Sequence, residues 1–171
     1  QGPDGQMCTD TCESTCPPGW SCRQIVSSAG DPVFICLWDH LQYCRPCHND
    51  GECAPDLLET SSARCLLWGP EEGSFCATPC AGDFDCPGGA LCQLQEVGDE
   101  EMSLCQPASE ACECSGYAIS VGASTSCELI NEFGACVGER FCADDGLTMC
   151  DAIAATAEVC NGLDDDCDGD S

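Results

Sequence analysis

The sequence predicts small disulfide-rich modules, mostly short β-hairpins and loops with little helix, in a tandem extended arrangement. Three observations carry this. Of 171 residues 22 are Cys, about 13% and above the roughly 8–10% that marks a disulfide scaffold. Leu, Ile, Val and Phe together number 28, about 16% of the chain, too few for apolar burial alone to offset chain entropy. The cysteines also recur in a periodic frame. Cross-links destabilise the unfolded ensemble by ~2–4 kcal/mol each, so order in this chain depends on oxidation.

The frame divides the chain into four units. Met7-Cys8, Tyr43-Cys44 and Phe75-Cys76 begin similar segments, and with Cys112 they are spaced 36, 32 and 36 residues apart. Internal periods of this size signal repeated supersecondary units. The reading is module 1 over 1–43, module 2 over 44–75, module 3 over 76–111 and a different unit over 112–171. In module 1, Arg23-Gln24-Ile25-Val26 and Pro32-Val33-Phe34-Ile35 flank the turn-forming run Ser27 to Asp31, a hairpin signature. In module 2, Leu57-Leu58-Glu59-Thr60 reads as a hairpin strand or one helical turn. In module 3, Gln93-Leu94-Gln95 and Met102-Ser103-Leu104 flank a loop through Gly98-Asp99. Beyond Cys112, Tyr117 to Val121 and Ser126 to Ile130 read as strands, and Ala152 to Ala157 as a helical turn or an extended linker. The first three modules resemble EGF-like and knottin-like domains in style only, since their spacings differ. Such modules are too small to wrap around one another and are expected to stack as a rod.

Charge narrows the function. Four Arg, no Lys and 31 acidic residues give a net charge of −27, which excludes a nucleic-acid partner and an anionic membrane surface. The longest apolar run, Val33 to Trp38, is far short of the ~20 residues of a membrane span, so no membrane insertion is expected. Cysteine at this density points to an oxidising compartment, extracellular or at a bacterial cell surface. Gln1 is expected to be a processed or excised start.

The string Glu158-Val159-Cys160-Asn161-Gly162-Leu163-Asp164-Asp165-Asp166-Cys167-Asp168-Gly169 carries the most chemistry. Asp164, Asp166 and Asp168 alternate and a glycine follows, which is how a calcium loop opens. Alternate carboxylates converge only if the backbone wraps around a centre, and a hard divalent cation gives it reason to wrap. The expected metal ligands are Asp164, Asp166, Asp168 and Asp170, the last through its carbonyl, and the expected ion is calcium. The sequence ends before the later ligand positions of such a loop, so further oxygens come from Glu158, water, another segment or another chain. Cys160 and Cys167 bracket the turn, paired with each other or with neighbours.

This string resembles the MopE-type metal-binding motif of secreted, cysteine-rich bacterial surface proteins. The stretch through Asn131-Glu132, Gly134, Cys136, Gly138, Arg140, Cys142, Gly146-Leu147 and Cys150 resembles the unit that often precedes that motif. The resemblance covers residues ~112–170 and implies a secreted metal-binding surface protein.

No grammar of catalysis appears: no Gly-x-Ser-x-Gly, His-Glu-x-x-His or phosphate loop. The chain is therefore expected not to be an enzyme. Cys44-Arg45-Pro46-Cys47 is a single knuckle where a zinc ribbon needs two. Asp50, Asp83 and Asp85 are turn residues or extra calcium oxygens. Trp20, Trp38 and Trp68 serve as miniature cores or as a recognition surface. The expected function is a calcium-binding structural or adhesive surface protein, a filament, sheath or array subunit, or a fragment of a longer repeat protein. Self-association or binding to other surface proteins is expected. The alternatives are a recognition module with a glycan or protein ligand (a lectin-like adhesin or knottin-type protease inhibitor) and a thiolate metal-sequestering protein.

Overall fold

Ten disulfides organise the described residues of the computed structural model, which are 10–13, 15–17, 19–54, 62–69, 72–109 and 111–170. Cys8 and the segment 57–60 lie outside them. The regular structure is four small antiparallel sheets. β1 (Trp20–Val26) pairs with β2 (Pro32–Trp38), β3 (Arg64–Gly69) with β4 (Gly73–Ala77), and β5 (Ala90–Val97) with β6 (Glu100–Pro107). The fourth sheet is three-stranded, β7 (Ser124–Ile130), β8 (Ala135–Ala143) and β9 (Gly146–Leu147). Helical structure is limited to single 3-10 turns at Asp50–Cys53 and Asp83–Asp85 and to α1 (Gly116–Ser120).

The first three hairpins share one construction. Two half-cystines sit directly across the strands, Cys22 opposite Cys36, Cys65 opposite Cys76 and Cys92 opposite Cys105. They do not bond to each other. Each is tied to a cysteine in the strap that precedes the hairpin, in the order first to third and second to fourth. The pairs are Cys12–Cys22 with Cys16–Cys36, Cys47–Cys65 with Cys53–Cys76, and Cys80–Cys92 with Cys86–Cys105. The strap also adds a one-residue bridge to the second strand, through Thr11 to Ile35, Pro46 to Phe75 and Pro79 to Leu104. Matching backbone bonds flank each bridge: Cys12, Cys47 and Cys80 donate N–H to the carbonyls of Phe34, Ser74 and Ser103 at 3.0–3.1 Å. The strap thus covers one edge of each hairpin, an edge that would otherwise invite pairing with another chain.

Cys76, which the sequence reading places at the start of module 3, closes the second four-cysteine set by its bond to Cys53. Three residues, Ala77, Thr78 and Pro79, then connect it to Cys80.

The interior is made of sulfur and small side chains. One cluster holds Cys47, Cys53, Ala63 and Cys76 with Cys65 against them. A second holds Ala118, Ala123 and Cys142 with Cys114, Ile119 and Leu147. Leu104 is the largest fully buried side chain.

Residues Tyr117 to Val121, expected as a strand, instead lie in α1 and just after it. Ser115 caps the helix, its hydroxyl accepting from Ala118 N–H at 3.1 Å, and the turn delivers Ala118 and Ile119 to the second cluster. A helix start preceded by Ser satisfies an otherwise orphaned donor, and this local bond overrides the apolar, β-branched look of the segment.

Contacts between modules are not confined to sequence neighbours. β4 packs on β7, where the buried Thr125 hydroxyl accepts from Ser74 N–H at 2.7 Å and donates to the Cys47 carbonyl at 3.2 Å. Gly73 permits the approach, since a Cβ there would collide with Thr125. Cys44–Cys112 spans the whole of the third hairpin, and Arg45 lies over the Tyr117 ring at 5.7 Å. The second hairpin and the C-terminal unit are therefore clasped together.

Candidate metal centre

The acidic string forms a loop docked on the turn between β7 and β8. The Cys136–Cys167 bridge ties it to β8, and Cys167 takes a left-handed backbone, φ +62°, between Asp166 and Asp168. Asn131 accepts from Phe133 N–H and Gly134 N–H at 2.8 and 3.2 Å, and its amide donates to the Ala155 carbonyl at 2.8 Å. Gly134 meets the Asp166 peptide so closely that a Cβ would run into the Asp166 carbonyl oxygen. Thr156 N–H donates to the Asp165 carbonyl at 2.8 Å, closing the base of the loop. The segment 152–157, left open between a helical turn and a linker, forms neither helix nor strand, and Ala155 is buried.

Within this frame one carboxylate oxygen each from Glu158, Asp164 and Asp166 lies within 4.8 Å of the other two. Two oxygens bound to one calcium at ~2.3–2.6 Å are at most about 5 Å apart, so the trio satisfies that limit as it stands. Backbone amides orient each member. Asp164 accepts from Asp168 N–H and Gly169 N–H at 3.1 Å. Asp166 accepts from Asp168 N–H at 3.2 Å, and Glu158 from Asp165 N–H at 2.9 Å. Each oxygen keeps lone pairs for an ion. No basic side chain pairs with the trio among the described residues; the arginine ion pairs Arg64 with Asp50 and Arg140 with Glu72 lie elsewhere. An all-oxygen anionic donor set with no counter-charge fits a hard divalent cation.

Of the four expected ligands, the structure brings together Asp164 and Asp166 and adds Glu158. Asp168 and Asp170 are outside the trio. Asp168 contributes its N–H to two members, while its carboxylate accepts from Asp170 N–H at 2.9 Å.

Most of the remaining candidates make contacts within the fold. Asp50 and Asp83 each accept from the N–H of the third cysteine of their module, Cys65 at 2.8 Å and Cys92 at 2.9 Å. Glu52 and Asp85 accept from His48 N–H and Ala81 N–H, the residue after the first cysteine. These carboxylates are module braces. Cys44 and Cys47 bond to different partners, Cys112 and Cys65. Sulfur trios such as Cys47, Cys53 and Cys76 crowd together, but their members sit in disulfides, and Cys160 is the free thiol among the described residues. Trp68 packs edge-on to Phe75 and Trp38 edge-on to His40. His40 is buried and bonded through Nδ1 to the Thr78 hydroxyl. His48 lies between Glu52 and Glu139, at 3.4 and 3.5 Å.

Sequence reasoning missed the docking role of Asn131 and Gly134, though both stand in the stretch that precedes the acidic string. No helix among the described residues is long and apolar enough to cross a membrane. Compared with protein-family models, with curated proteins and with solved structures, the chain matches none.

Proposed function

We propose that the chain is an extracellular, non-catalytic surface protein whose C-terminal acidic loop binds calcium and which serves a structural or adhesive role. The convergence of Glu158, Asp164 and Asp166 on a loop held by Cys136–Cys167 carries this reading. Ten disulfides support an oxidising setting, and the resemblance of the acidic string to the MopE-type motif supports a secreted surface role. Three protein carboxylates leave several calcium positions to water, carbonyls or a neighbouring chain, which places affinity toward the ~0.1–1 mM range of extracellular modules. At a net charge of −27, copies of the chain repel one another. Calcium reduces that charge and bridges carboxylates, which permits lateral or head-to-tail assembly.

The test is calorimetric titration of EDTA-stripped, disulfide-intact protein with calcium chloride, alongside Asp164→Asn. The reading expects saturable binding that the substitution removes; absence of saturable heat in the wild-type chain defeats it. Electron microscopy with and without chelator addresses assembly, and particles indifferent to both chelation and salt would deny the ion that part.

A further inference from the structure

We infer that the cleft between the first three modules is a binding site for a neutral saccharide. The cleft has a volume of about 370 Å³ and is lined by Arg23, Trp38, Asp39, His40, Thr78 and Asp85 among others. That volume lies within the ~300–1,000 Å³ of small-ligand sites. Its floor is rigid: His40 and Thr78 are buried and bonded to each other, and the His40 ring meets Trp38 edge-on at 5.9 Å and 73°. The indole is thereby held at the cleft without being fully covered.

Three charged groups at the cleft keep bonding capacity among the described residues. Arg45 is engaged by Gln42 and the Tyr117 ring, Arg64 by Asp50 and Arg140 by Glu72. The guanidinium of Arg23 alone has no side-chain hydrogen bond, ion pair or ring contact among the described residues, in a chain with 31 acidic side chains. The Asp39 carboxylate is likewise without a partner there. Asp85 uses one oxygen on Ala81 N–H and retains the other.

The combination selects the ligand. A half-buried indole at the cleft with separate donor and acceptor side chains matches a sugar ring, which has an apolar C–H face and hydroxyls that both donate and accept. Asp39, Asp85 and the net charge disfavour acidic glycans and nucleotides. The open polar groups disfavour a purely apolar guest, which would leave them desolvated and unpaired.

The experiment applies the disulfide-intact chain to an array of neutral, acidic and sulfated glycans, then titrates the best neutral glycan calorimetrically. Wild type, Arg23→Gln and Asp39→Asn are compared, each also with EDTA. Both side chains are exposed and without side-chain partners among the described residues, so the variants keep the wild-type near-ultraviolet circular dichroism. The expected result is retention of a neutral glycan, a change in tryptophan fluorescence on binding, and a weakening of about tenfold in each variant. Retention of no neutral glycan, preference for acidic glycans, or wild-type affinity in both variants overturns the assignment. Binding abolished by EDTA yet untouched by either substitution locates recognition at the acidic loop and also overturns it.

Discussion

Replacing Asp166 by Asn removes one of three like charges from the acidic loop while leaving an oxygen to accept from Asp168 N–H. The sign of the outcome is informative. Unit charges separated by 4.8 Å or less repel by about 0.9 kcal/mol or more in water. Asp166 takes part in two of the three pairs, so its neutralisation relieves about 1.7 kcal/mol at low ionic strength. At physiological salt roughly half of that remains. The metal-free loop should therefore open less readily in the variant. The wild-type loop gains about 1.4 kcal/mol when calcium is at ten times its dissociation constant, and the variant gains almost nothing. The Thr156 amide reports both effects, because its bond to the Asp165 carbonyl involves no carboxylate. Hydrogen exchange at that amide in EDTA at low salt should slow by ~18-fold in Asp166→Asn, and added calcium should slow it only in wild type. Equal exchange of the two proteins in EDTA, or a full calcium response in the variant, would refute the reasoning.

Three further outcomes are expected. Thr125→Val leaves Ser74 N–H and the buried Cys47 carbonyl without their partner and costs about 2–4 kcal/mol in urea unfolding, whereas Thr125→Ser recovers most of it. Thiol titration of the unreduced, denatured chain reads no more than two of the 22 cysteines, because the ten bridges consume all but Cys160 among the described residues and only Cys8 lies outside them. Burial raises the Tyr43 phenol to about 12, with no partner for its hydroxyl among the described residues. Its folded value exceeds the unfolded 10, so its contribution is intact below pH 10 and is lost as pH rises toward 12. Rapid pH-jump absorbance should show one of the two tyrosines ionising late.

The hairpins of the first and third modules were legible because apolar and polar residues flank turn-forming runs on both sides. The second was not, for a reason in the chain itself. Phe75-Cys76 imitates Tyr43-Cys44, yet it lies on the closing strand of that hairpin. The interlaced bridges were also hidden, since several pairings satisfy the same spacings; cross-strand register decides which cysteines face the strap. At the acidic loop, alternation identified Asp164 and Asp166. The backbone then turns at Cys167, which redirects Asp168, and Glu158 enters by folding back rather than by spacing. Arg23 and Asp39 carry no linear signal at all. Both belong to the first module, and the cleft they border is completed only by residues of the second and third modules.

Nine of the ten bridges join residues 10 to 31 positions apart, while Cys44 and Cys112 are 68 apart. In a chain synthesised from its N-terminus, each short-range bond can close soon after its second thiol reaches an oxidising compartment. Cys44 must wait while Cys47, Cys53, Cys65 and Cys76 pass within reach. The Cys44–Cys112 bond is therefore the bridge most open to mispairing during oxidative folding.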